Sequence, residues 1–95
     1  MTFFKNQPID ELGRVAIPIT LRKKLGLEID DMVSIDATAE GWITLRAGEM
    51  GPHVKQLSEI AQVLLPHGIR RELGIECPSK LALYYIDPQL ILKPV

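Results

Sequence analysis

The chain has 95 residues, 46% of them hydrophobic, and a formal net charge of −1. This length fits a single domain, the one cysteine excludes an internal disulfide, and the charge lacks the basic excess that marks many nucleic-acid-binding proteins. No apolar run approaches the roughly 18 residues of a membrane-spanning helix and no signal peptide is recognisable, so we expect a reduced, cytoplasmic protein with no membrane partner.

The first half of the chain predicts two β-hairpins with a short helix between them. The segment Asp10–Gly13 is typical of a tight turn, and the period-2 placement of Val15 and Ile17 is that of a half-buried strand. Pro18 suits the first position of a helix and Gly26 the residue just past its end. The predicted elements are strands at 3–9 and 14–17, a helix at 18–25, and strands at 32–36 and 42–46.

The second half of the chain is a diverged copy of the first. Residues 59–83 align with residues 11–35 at a constant offset of 48 without a gap. Seven of the twenty-five aligned pairs are identical: Glu11/Glu59, Val15/Val63, Pro18/Pro66, Arg22/Arg70, Leu25/Leu73, Gly26/Gly74 and Glu28/Glu76. This repeat predicts the same elements again, as strands at 54–57 and 62–65, a helix at 66–73, and strands at 80–85 and 90–93.

We therefore divide the chain into repeat 1 at 1–47 and repeat 2 at 53–95. A unit of about 45 residues cannot bury a sufficient core alone, so the two repeats must share one. They pair either within one chain, as a pseudo-dimer, or with another chain, as a homodimer. The linker between them reaches no more than about 20 Å, which keeps the repeats adjacent but permits both arrangements.

The charges of repeat 1 are strongly polarised despite the small net charge. Residues 12–27 carry four cations and no acid, whereas residues 28–41 carry five acids and no cation. Three of the cations, Arg22, Lys23 and Lys24, lie at the end of the predicted helix, where the helix dipole favours positive charge. Taken alone, such a cluster is ordinarily a solvated helix end.

The stretch Ile-Asp-Glu-Leu-Gly-Arg-Val-Ala-Ile-Pro-Ile-Thr-Leu-Arg-Lys-Lys-Leu-Gly-Leu at 9–27 resembles the swapped-hairpin DNA-binding domain of the AbrB/MazE/SpoVT superfamily. The resemblance covers roughly residues 3–46, and residues 53–95 are similar to the same unit less faithfully. It implies a mainly β fold with one short helix per repeat, in which two tandem repeats interleave their hairpins into a small barrel. It also implies a transcriptional regulator that binds double-stranded DNA and needs no cofactor or metal.

The resemblance assigns a DNA-binding role to several cations of repeat 1. Arg14, Arg22 and Lys23 match basic positions of the family's DNA face, and Lys24 is added because it adjoins them. Lys5 is the nearest cation in the first strand. Each would neutralise a phosphate or reach a base edge, two roles that the sequence does not separate.

The chain departs from the family pattern in both repeats. Relatives often carry cations just before the first turn, where this chain has Gln7 and Pro8. Repeat 2 keeps Arg70 and Arg71, which form a secondary candidate DNA site, but has Glu72 in the place of a lysine. We therefore expect repeat 1 to read DNA and repeat 2 to complete the fold or mediate assembly.

Three other functions are weighed against DNA regulation. MazE-like members of the superfamily also neutralise a toxin, which makes an antitoxin or other protein-partner module the main alternative. A purely structural assembly module would fit the slight net acidity. An enzyme is not expected, because the chain has no glycine-rich phosphate loop and no nucleophile elbow.

The remaining distinctive side chains favour structural roles. We expect His53 and His67 at the surface, with no metal site, because neither has a partner at metal-ligand spacing. Trp42 and Cys77 are expected to be at least partly buried. Tyr84 and its neighbour at position 85 alternate across a strand, so one of the two should be exposed, as at an assembly surface.

Overall fold

The computed structural model describes all 95 residues and contains eight strands and two short helices. The elements are β1 (Thr2–Ile9), β2 (Arg14–Ala16), α1 (Ile19–Leu25), β3 (Met32–Ala37), β4 (Ile43–Ala47), β5 (His53–Gln56), β6 (Gln62–Leu64), α2 (His67–Glu72), β7 (Ser79–Ile86) and β8 (Gln89–Pro94). Every predicted element is present, with each end within one residue of its predicted position. Neither helix is long and apolar enough to cross a membrane.

All eight strands form one antiparallel sheet in the order β5-β3-β4-β8-β7-β1-β2-β6. The hairpin β1–β2 of repeat 1 lies against the hairpin β7–β8 of repeat 2, and β5 of repeat 2 pairs with β3 of repeat 1. Like strands also pair, β2 with β6 and β4 with β8. The edge strands β5 and β6 are joined by a short turn, so the sheet is nearly closed into a barrel. The predicted mainly β barrel is confirmed, and its repeats exchange hairpins within one chain.

The core is shared by the two repeats. Its 18 buried hydrophobic residues are Ile9, Val15, Ile17, Leu21, Leu25, Leu27, Val33, Ile35, Ile43 and Leu45 from repeat 1 and Leu57, Val63, Leu65, Ile69, Leu81, Leu83, Leu90 and Leu92 from repeat 2. Along the strands these residues alternate with outward-facing ones, as a half-buried sheet requires. Because the two repeats supply ten and eight of these residues, neither repeat has a separate core.

The helices are short and depend on packing. Pro18 is the N-cap of α1 rather than its first residue, with φ −56° and ψ 145°. Gly26 closes the helix at φ 69°, and its N–H donates to the carbonyls of Arg22 and Lys23. A helix of seven residues is not stable in water by itself, so burial of Leu21 and Leu25 is what holds α1 on the barrel.

Candidate nucleic-acid interface

The turn that carries Arg14 is held by Asp10. The Asp10 carboxylate accepts hydrogen bonds from the backbone N–H groups of Leu12 at 3.0 Å and Arg14 at 2.8 Å, and from Arg14 Nε at 2.6 Å. The backbone N–H of Arg14 is the main cause that lowers the pKa of Asp10, and the Arg14 side chain adds to it against some desolvation. Arg14 is thus fixed at the turn while its side chain stays 46% exposed.

Arg70, from the other repeat, packs directly on this turn. A Cβ atom built on Gly13, whose φ is +89°, would lie 2.6 Å from both Cζ and Nε of Arg70. The guanidinium therefore occupies the space that any side chain at position 13 would need. Arg70 Nε donates to the Leu65 carbonyl at 3.0 Å, and the Leu65 N–H donates to the Gly13 carbonyl at 2.9 Å. Arg70 and Leu65, which directly follows β6, thus hold the turn of repeat 1 in place. We call this arrangement, with Arg70 packed on Gly13 and bonded to Leu65, the clamp.

The counterpart arginine, Arg22, is placed differently. The offset of 48 relates Arg22 to Arg70 and Ala61 to Gly13. Ile17 N–H donates to the Ala61 carbonyl at 2.9 Å, which repeats the bond between Leu65 and Gly13. Ala61, however, has a Cβ atom and a strained φ of 61°, and Arg22 Nε is buried without a hydrogen-bond partner. The clamp exists on one side of the barrel only.

The other predicted DNA contacts lie at the surface. Lys23, Lys24 and Arg71 are exposed at the C-terminal ends of α1 and α2, and Lys5 is exposed on β1 opposite Leu83. The Lys24 ammonium lies 5.3 Å from the centre of the Tyr85 ring, whereas Arg14 makes the one ion pair in the chain. Four cations are therefore free of acidic partners, whereas Arg14 is paired with Asp10 and its side chain is 46% exposed.

Tyr85 fixes the end of α1 to the β7–β8 turn. Its hydroxyl donates to Asp87 Oδ1 at 2.9 Å and lies 3.4 Å from the Lys24 carbonyl. Desolvation, followed by the neighbouring Asp87 carboxylate, raises the pKa of Tyr85. Since β7 and β8 belong to repeat 2, the basic end of α1 also rests on the other repeat.

The basic residues are consequently not segregated by repeat. The sequence predicts a main site in repeat 1 and a secondary one at Arg70 and Arg71 of repeat 2. The exchange of hairpins instead brings Arg70, and not Arg22, against the turn of Arg14. At this turn, therefore, residues for DNA binding and residues that support the fold are not separated by repeat. Any ligand that contacts Arg14 meets residues of both repeats.

The missing cation of the first strand has a structural explanation. Gln7 is only 8% exposed, and its Nε2 donates to the Ala16 carbonyl at 2.7 Å. This side chain bridges β1 to the end of β2 from inside the barrel, so position 7 is not available to a ligand. A cation there would lie among buried apolar groups.

The side chains outside the basic set have mixed environments. His67 is exposed and His53 half-buried, and no group of three or more His, Cys, Asp or Glu residues could hold a metal ion. Cys77 is half-buried, and its Sγ lies 3.5 Å from Arg70 Nη1. Tyr84 and Tyr85 are both half-buried, so the prediction that one of them is exposed is wrong: neighbouring side chains partly cover each ring.

No protein-family model and no curated protein match the chain. Among solved structures, the chain is similar to the solution structure of PHS018 from Pyrococcus horikoshii, with a TM-score of 0.56 and 20% sequence identity. The match covers 99% of this chain and 94% of that one. At this identity the likeness shows the fold alone.

Proposed function

We propose that this protein is a cytoplasmic transcriptional regulator of the AbrB-like type that binds double-stranded DNA. The observation that carries the proposal is the placement of Arg14, a 46% exposed side chain at the start of β2. The turn just before it is held by three hydrogen bonds to Asp10, one of them from the Arg14 side chain, and by the packing of Arg70. A basic side chain on a rigid turn loses little freedom when it meets a phosphate or a base edge.

The exposed cations at the helix ends supply the rest of the interface. Lys23, Lys24 and Arg71 have no acidic partner, so contact with DNA breaks no ion pair at these positions. Together with Arg14 and Arg22 they would neutralise about five phosphates, which corresponds to a log–log salt slope of about −4.5 for one chain and about −9 for a dimer. Binding of this kind works at a net charge of −1 because the cations act locally.

The proposal is tested by fluorescence anisotropy with duplex DNA from the region upstream of the gene. The wild type is compared with the triple variant Arg14→Ala, Lys23→Ala and Lys24→Ala at about 50 mM and about 200 mM salt. A matched control removes three cations elsewhere, through Arg46→Ala, Lys80→Ala and Lys93→Ala.

The expected result is salt-sensitive binding that the first variant loses and the control keeps, with both variants folded. No binding by the wild type at low salt would contradict the proposal and direct attention to the antitoxin or other protein-partner function. Equal losses in the two triple variants would show charge attraction without a site at these residues.

A further inference from the structure

The outer surface of strands β4, β8, β7 and β1 carries most of the aromatic side chains of the protein. The strand register aligns Thr44, Ile91, Tyr84 and Phe3 in one row across the four strands, on the side away from the core. Trp42 lies just before β4 beside this row, and Phe4 lies in the bulge of β1 next to Phe3. We call this surface the aromatic face; it holds three of the five aromatic residues of the chain, with Phe4 adjoining.

The aromatic face is also positively charged. Lys93 Nζ lies 3.9 Å from the centre of the Trp42 ring and 4.4 Å from that of Tyr84, so one ammonium stands between two rings. The other outward cations of these strands are Arg46 and Lys80, and no outward position of the four strands is acidic. The nearest acids are Asp36, which lies opposite Thr44 on the neighbouring strand β3, and those at positions 40 and 87, in the turns at one end.

The rings are not simply a second core. They cover Ile91, which is 4% exposed, but Phe3 remains 52%, Phe4 39% and Ile86 45% exposed. Between Trp42, Ile86 and Ile91 the surface forms an open depression of about 340 Å³. Phe3 and Phe4 are thus exposed and Trp42 and Tyr84 half-buried, so the face presents a contiguous apolar surface, a feature that marks binding sites on soluble proteins.

We propose that the aromatic face binds single-stranded nucleic acid. Unpaired bases stack on exposed aromatic rings, and cations between the rings bind the phosphates; this combination is typical of sheet surfaces that bind single strands. A duplex keeps its bases stacked internally, so it cannot use the rings in this way. Four strands span about 14 Å, enough for two or three stacked bases.

Lys93 is the residue that couples the two interactions. With no ligand bound, its ammonium interacts with the faces of Trp42 and Tyr84. A base that stacks on either ring takes the place of the ammonium, which then pairs with the adjoining phosphate. This inference does not depend on the proposed duplex site, because it uses none of the cations of the Arg14 turn or the helix ends.

The test uses the single tryptophan as the reporter. The full-length protein is titrated with oligothymidylate and oligouridylate of about twelve nucleotides while the fluorescence of Trp42 is recorded at several salt concentrations. Stacking on the face should quench Trp42. Phe3→Ala should weaken binding about tenfold, and Lys93→Met should reduce the magnitude of the salt slope by about 0.7, the value of one phosphate on a single strand.

Leu12→Ala is the matched control, because Leu12 is a 62% exposed apolar residue away from the aromatic face. It should bind oligonucleotides as the wild type does, and urea denaturation should show all variants folded. The triple variant at Arg14, Lys23 and Lys24 should keep single-strand binding, which separates this site from the duplex site.

Three results would overturn the inference. The wild type does not bind either oligonucleotide at low salt, or the Phe3 and Lys93 variants bind like the Leu12 control. In the third case the wild type sediments as a dimer that Phe3→Ala dissociates without any change in oligonucleotide affinity, which would make a second copy of the chain the occupant of the face.

Discussion

The turns at 10–13 and 58–61 have the same backbone hydrogen bonds and different surroundings. In the first, Gly13 N–H donates to the Asp10 carbonyl at 3.0 Å; in the second, Ala61 N–H donates to the Ser58 carbonyl at 2.9 Å. The first turn accommodates the Arg70 guanidinium where the second has a methyl group. The two arginines differ accordingly. Arg70 Nε donates to the Leu65 carbonyl beside the turn that has glycine, whereas Arg22 Nε has no partner in the repeat arrangement that has alanine.

This difference shows how a duplicated chain can give equivalent residues different surroundings without changing the residues themselves. Arg22 and Arg70 are identical in sequence and occupy the same position of their helices. Arg70 Nε donates to the Leu65 carbonyl, and its guanidinium packs on the turn that precedes Arg14. Arg22 Nε is buried without a partner, so a ligand contact by Arg22 would use the terminal nitrogens of its guanidinium.

The largest expected effect comes from closing the space at Gly13. Gly13→Ala should lower the free energy of unfolding by about 3 kcal/mol, because the new Cβ strains a backbone at positive φ and displaces Arg70 from its hydrogen bond. Urea denaturation measures this. Gly41→Ala is the control, since Gly41 has φ +87° with open space around it, and only the backbone strain, about 1 kcal/mol, should remain. Equal losses of unfolding free energy at Gly13 and Gly41 would contradict a stabilising role of the clamp.

A second prediction concerns position 7, where relatives of the resembled family often carry a cation. Gln7→Arg should destabilise the protein by about 2 kcal/mol and leave duplex affinity unchanged, because the charge would be buried without an acidic partner. Lys55→Arg, at the equivalent position of repeat 2, keeps its charge and should change stability little. Increased duplex affinity in the Gln7 variant would place the interior of β1 at the DNA surface and contradict the structure.

The third prediction makes the two turns alike. Ala61→Gly should stabilise the protein by about 1 kcal/mol, because it relieves the left-handed backbone of a residue with a side chain. It should also give Arg22 room to bond as Arg70 does. Duplex affinity should then fall slightly as Arg22 becomes occupied. Unfolding curves and anisotropy on the same samples check both effects, and loss of stability would show that Ala61 fits its conformation without strain.

The smallest effect is a dependence on acid pH. The pKa of Asp10 lies below its ordinary value of 3.8 in the folded protein, so its contribution to stability is present above that value and is lost as the pH falls through the lowered one. Asp10→Asn should therefore show a weaker loss of stability in acid than the wild type. Ser58, which accepts the equivalent bond from Gln62 N–H at 3.0 Å, does not titrate, and Ser58→Ala should leave the acid dependence unchanged.

Much of the fold follows from the sequence because local signals agree with the packing. The constant offset of 48 finds both sets of elements, and the turn at Asp10 and the glycine at 26 mark ends that the structure places within one residue. The exchange of hairpins within the chain does not follow, since a short linker permits pairing inside or between chains. It is decided by long-range pairing, such as that of β1 with β7.

The features of the site that the sequence did not indicate all depend on this exchange. The helix residue Arg70 and the turn residue Gly13 are far apart in sequence and meet only because α2 packs against the other repeat's turn. The burial of Gln7 depends likewise on the pairing of β1 with β7 of the other repeat, where Gln7 lies opposite the core residue Leu81. The aromatic row needs the register of four strands from both repeats, and no local pattern aligns Phe3 with Tyr84.

The most direct test of the account compares Arg22→Met with Arg70→Met, each measured for unfolding free energy and for the salt dependence of duplex binding. The account predicts crossed results. Arg70→Met should lose about 2 kcal/mol of stability through its lost hydrogen bonds and keep the salt slope. Arg22→Met should keep its stability and reduce the magnitude of the slope by about 0.9, the value of one phosphate. Equal effects of the two substitutions on both quantities would contradict the different roles of Arg22 and Arg70.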